Sequence, residues 1–165
     1  MFVDYKREIK NIKNIFFVTY VIALCIGWLY FKQTSVIIDN GGCESNILYK
    51  KILINNIIVF ILMCSGSLFN KISTYSIIIT NAYLLGVNTP MIISLQIQGI
   101  SILFHGVLEL FGFFLAALIG MKPIQYHIKN KYNSYKILLL GLSMIVVSAI
   151  IEGYISYGFL KITKF

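Results

Sequence analysis

The sequence predicts an all-α fold, a polytopic membrane helix bundle of about five transmembrane helices. Three observations carry that prediction. Hydrophobic residues make up 58% of the 165, and the mean hydropathy is +0.83. Charged residues make up 12%, against about 25% in a soluble domain. The apolar residues fall in runs long enough to cross a ~30 Å hydrocarbon core at ~1.5 Å per residue, with basic residues gathered at the ends of the runs. The chain therefore divides into a basic, cytoplasmic N-terminus, 1–13, and a single membrane domain, 14–165. The net charge of +8 belongs to topology and lipid headgroups, because basic residues at span ends do that work. Membrane lipids and other membrane proteins are the expected partners; no nucleic-acid partner is expected.

Residues 1–13 (MFVDYKREIKNIK) are polar and basic and read as a short interfacial helix. The first span is 14–31, NIFFVTYVIALCIGWLYF. No small-residue cleavage site follows it, so it reads as an uncleaved helix rather than a signal peptide. Residues 32–51 form the longest polar loop, with a turn signal at DNGG, 39–42. The second span is 52–69, and NKIS, 70–73, connects it to a third that starts near Thr74 and ends near Asn88. NTP at 88–90 is expected to break that helix, since Pro90 disfavours helical geometry at Thr89. Residues 91–103 read either as a re-entrant or surface helix or as the start of the fourth span, which ends at Gly120. A basic loop, 121–136, precedes the last span, 137–160.

Lysine and arginine counts orient the five spans. With the N-terminus inside, nine of the fourteen basic residues fall on the cytoplasmic side, among them Lys6, Arg7, Lys10, Lys13 and Lys122. The C-terminus is then extracellular. A sixth span within 89–104 would return it to the cytoplasm. Cys25 and Cys64 lie in apolar runs and Cys43 in the polar loop; none has metal-site spacing.

The stretch FHGVLELFGFFLAALIG, 104–120, places His105 and Glu109 at i and i+4, on one helix face. A charged side chain at the centre of a lone helix costs about 3 kcal/mol on insertion scales, so such groups face a bundle interior, a wet cavity or a partner. On this topology Asn55, Asn56, His105, Glu109 and Glu152 all fall in the outer half of the membrane, and Asn81 lies nearer the inner side. Four readings fit them: hydrogen bonds that set helix register, a path for an ion, peptide or lipid, a docking face for another membrane protein, or a hydrolase. No HExxH, no second nearby histidine and no Ser or Cys triad spacing supports the hydrolase. No catalytic residue, metal or cofactor is expected.

Three blocks give the chain a family likeness. In the first, 54–87, Asn55, Asn56, Gly66, Asn81 and Gly86 stand in order, with Ala82 where a glycine is usual. The second holds His105, Gly106, Glu109, Leu110 and Gly120, in the pattern His-Gly-x-x-Glu-Leu before a helix of small residues. The third is IIEGYIS, 150–156, around Glu152. With these blocks the chain resembles the stage II sporulation protein M family over about 52–157. Phe104 and Phe111-Gly112 stand where that family usually has prolines, which marks a divergent member. The resemblance implies one of two roles. One is a scaffold of the forespore-engulfment machinery, which organises peptidoglycan-remodelling partners. The other, slightly favoured, is an accessory to bacteriocin maturation, export or immunity beside an ABC transporter.

Overall fold

The computed structural model describes residues 5–31, 45–94 and 97–152. These form six helices: α1 Lys6–Phe31, α2 Ser45–Cys64, α3 Ile72–Ser94, α4 Ile97–Gly120, α5 Ile124–Lys129 and α6 Lys131–Ile150. No strand occurs among the described residues, so the bundle is all-α as predicted. Four helical stretches are long and apolar enough to cross a membrane, namely Lys6–Phe31, Tyr49–Ser67, Ile72–Ser94 and Lys131–Ile150, and a shorter apolar stretch runs His105–Gly120. Large side chains such as Phe17, Leu29, Leu68 and Ile72 point outward, each more than 60% exposed, as lipid contact demands.

Several helix boundaries differ from the sequence reading, each for a packing reason. α1 does not stop at Lys13. Tyr5, Glu8 and Ile12 are buried on one face while Lys6, Arg7, Lys10 and Lys13 are exposed. That spacing makes the basic segment the amphipathic start of one helix, docked on the rest of the bundle rather than lying apart. α2 begins at Ser45, inside the expected loop, and ends in a 3-10 turn, Ser65–Ser67. Asn70 and Lys71 then adopt left-handed backbone, φ 46° and 69°, and the Lys71 amide donates to the Gly66 carbonyl at 2.8 Å.

Pro90 does not break α3, which continues to Ser94 with Pro90 buried inside it. Proline withholds its own N–H from the Gly86 carbonyl, one turn back. Around it Asn88 and Thr89 donate side-chain hydrogen bonds to the carbonyls of Leu84 and Leu85, each at 2.7 Å. Thr89 also meets the Tyr20 hydroxyl of α1 at 3.3 Å. Packed helices tolerate proline in this way. Residues 89–94 therefore complete α3 and 97–104 open α4. Neither the re-entrant helix nor the sixth span has a helix of its own among the described residues. The expected loop 121–136 contains α5 and the first turns of α6, while 153–160 of the expected last span lie outside the described residues.

α1 lies along α3, α4 lies along α6, and α2 bridges α4, α6 and α3. The α1–α3 crossing is close enough to need glycine on both helices. A Cβ at Gly27 would sit 2.5 Å from the Val87 carbonyl oxygen, and one at Gly86 would sit 2.6 Å from the Tyr20 carbonyl oxygen. The second half of α4 is the core: every residue from Leu115 to Gly120 is buried. A helix apolar on all sides belongs inside the bundle.

Candidate functional site

Three helices converge on the predicted polar residues. α4 and α6 run antiparallel, with Gly112 against Ile145 and Gly141. That contact sets their register and brings His105 opposite the end of α6. The Ser148 hydroxyl donates to the His105 carbonyl at 2.9 Å, fully buried. One turn on, where α6 gives way to a π-helical turn at 151–152, Glu152 Oε1 lies 3.8 Å from His105 Nε2. This distance suits an ion pair with a protonated ring and is too long for a hydrogen bond. Glu109, one turn along α4, is in electrostatic reach of Glu152 and faces the Asn56 side chain of α2. The Asn56 amide is buried and closes no well-formed hydrogen bond. Asn55 donates to Asn56 Oδ1 at 3.5 Å, the outer limit of such a bond, and is itself exposed.

The structure thus assembles Asn56, His105, Glu109 and Glu152 into one patch, with Asn55 at its rim. It does not bring Asn81 there. The Asn81 amide donates to the Ile77 carbonyl of its own helix at 3.0 Å. Gly86 serves the α1–α3 crossing. Gly66 and Gly120 lie at the other end of the bundle, where both abut the Thr74 side chain. Thr74 is fully buried and donates to the Met63 carbonyl at 2.8 Å.

The patch spans several turns of its helices. His105 comes eight residues after Ile97 and Glu109 twelve, which places Glu109 near the middle of α4, about 18 Å along it. Asn55 and Asn56 are likewise about halfway along α2. Among the described residues no atom lies within 4 Å of a Cβ placed at Gly106. Gly106 and Glu109 are three residues apart and lie on neighbouring positions of one helix face.

A second polar assembly holds the other end of α4, and the sequence offered little sign of it. Lys122 pairs with Glu8 of α1 at 3.2 Å and lies over the rings of Tyr5 and Tyr126, at 5.4 and 4.9 Å from their centroids. His127 Nε2 donates to the Ile119 carbonyl at 2.9 Å, leaving Nδ1 to accept from the Ser134 hydroxyl at 2.8 Å. The Ile119 carbonyl also accepts the Lys122 amide at 3.2 Å, so this one acceptor at the end of α4 ties together the segment that leads into α5. The only advance signals were Pro123 after Gly120 and the buried face of α1.

Within the patch, one imidazole and two carboxylates can exchange a proton, accept hydrogen bonds or pair with a cation. Among the described residues no group of three or more His, Cys, Asp or Glu is placed to hold a metal ion.

The sequence profile of the family described as Stage II sporulation protein M matches residues 15–157. No curated protein and no solved structure matches the chain.

Proposed function

The chain belongs to the stage II sporulation protein M family, and from that premise we propose that it is a non-enzymatic membrane scaffold or accessory subunit of a peptide (bacteriocin) maturation, export or immunity system. The observation that carries this reading is the patch itself. His105, Glu109, Glu152 and Asn56 come from three helices and meet at one place, and among the described residues no atom lies within 4 Å of a Cβ placed at Gly106 beside them. Polar groups cost free energy in a membrane unless they are partnered. A second membrane protein or a passing peptide, laid against the Gly106–Glu109 face, would bring polar groups of its own to this patch. On the N-inside topology the start of α4 and the end of α6, which carry His105 and Glu152, face outward, which suits a cargo leaving the cell. The ABC transporter that such systems employ is the partner this reading implies.

The test is made in a producing or resistant host. Glu109→Gln and Glu152→Gln should abolish export or resistance while protein levels in the membrane are unchanged. Site-specific crosslinking from Gly106→Cys should capture a defined membrane partner, while Ile72→Cys, exposed at the start of α3, should not. Full activity in both glutamine variants would overturn the reading. The sporulation role implied by the family description would use the same patch to organise peptidoglycan-remodelling partners. Sporulation genes beside this one would favour it; an ABC ATPase beside a small precursor gene would favour export.

A further inference from the structure

A cavity of about 410 Å³ lies between α1, α3 and α4, away from the polar patch. Its walls are almost wholly apolar: Phe16 and Phe17 from α1, Ile78 from α3, and Val107, Phe111 and Phe114 from α4. Phe17, Val107 and Phe111 are exposed, so the cavity opens sideways to the surrounding lipid. Two lining side chains are polar. The Asn81 amide is spent on its own helix. Lys13 is exposed and, among the described residues, pairs with no carboxylate.

The direction of the cavity follows from the Glu8–Lys122 pair, which sets the start of α1 beside the end of α4. Lys13 and Ala117 therefore lie at one end and Val107 at the other. Ten residues separate Val107 from Ala117, about 15 Å, which is the depth of one leaflet of a ~30 Å hydrocarbon core. An extended peptide would leave its backbone groups unsatisfied against apolar walls, at several kcal/mol each. A hydrocarbon chain has no such groups.

We propose that this groove holds one acyl chain of an anionic phospholipid, with the headgroup phosphate on Lys13. Lys6, Arg7 and Lys10, exposed on the preceding turns of α1, hold the surrounding surface positive, which draws anionic lipid to that end. Lys13 differs from them in lining the cavity itself.

Purified full-length protein, offered equal phosphatidylglycerol and phosphatidylcholine with identical chains and examined by native mass spectrometry, tests this. The protein should retain phosphatidylglycerol about fivefold over phosphatidylcholine, the electrostatic weight of one basic residue at an anionic headgroup. Lys13→Gln should abolish the preference and keep chain binding. Leu110→Trp, which fills the cavity, should lose both lipids. Lys10→Gln, which removes the same charge from outside the cavity, should keep the preference. Equal retention of the two lipids by the unmodified protein would overturn the proposal. So would a preference that survives Lys13→Gln, or one that Lys10→Gln weakens as much. Lys13 is exposed and its replacement leaves the packing intact, so the outcome does not depend on how well Leu110→Trp folds.

Discussion

His105 carries more of this structure than its side chain alone. Its carbonyl receives the buried Ser148 hydroxyl and its ring faces Glu152, so one residue ties α4 to α6 twice. Ser148→Ala should lower stability by about 0.5–1.5 kcal/mol, the range for one buried hydrogen bond in or out of a membrane, read as a lower thermal midpoint in detergent. Lys122 has a larger role. Removing it leaves Glu8 buried without its cation, so Lys122→Ala should cost about 3 kcal/mol. The double variant Glu8→Gln with Lys122→Met should lose less than that single change, and a larger loss would show that the pair is not the cause. His105 and Glu109 were legible in the sequence because histidine and glutamate are conspicuous in an apolar run and their spacing puts them on one face. Ser148 and Thr74 were not, since serine and threonine are ordinary in spans and only a neighbouring helix shows which ones bond across. Ser148 did stand one turn before Glu152, which was the one available signal.

At the scale of the element, the apolar runs were easy to find and their ends were not. Pro90 reads as a stop, yet it is buried in α3, with Thr89 bonded to Leu85 and Tyr20 around it. The basic N-terminal segment reads as a separate surface helix, yet Tyr5, Glu8 and Ile12 weld it to the bundle. In both cases tertiary packing outweighed the local rule. Glycines show the same division. Gly86 and Gly106 both belong to the family pattern, but only Gly86 is confined. Gly86→Leu should drive α1 from α3, because its Cβ would meet Ala23 Cβ at 2.6 Å, and overpacking of this kind costs about 1–3 kcal/mol or more. Disulfide crosslinking between cysteines placed on the two helices would report the separation. Gly106→Ala should leave the fold intact or raise its stability by up to ~1 kcal/mol, as alanine does for glycine in a helix. A comparable loss from Gly106→Ala would mean that this face is already occupied within the chain.

For the whole molecule, the five crossings that the sequence predicts would put the two ends of the chain on opposite sides of the membrane. With the basic N-terminal segment inside, a tag at the C-terminus should be accessible from outside intact cells and one at the N-terminus only after permeabilisation. Accessibility of both tags from the same side would require an even number of crossings. The two polar assemblies then sit at different levels of one central helix: the His105–Glu109–Glu152 patch midway along α4, and the Glu8–Lys122 pair beyond its end. By itself the sequence determined the membrane setting, the helical class and which polar residues are out of place in hydrocarbon, because each follows from composition and from a helical period that a single chain segment displays. It could not determine that Asn56 faces Glu109 or that Lys13 borders a groove. Those relations depend on how helices far apart in sequence register against one another, and the register is decided by glycine crossings and buried hydrogen bonds that form only when the bundle closes.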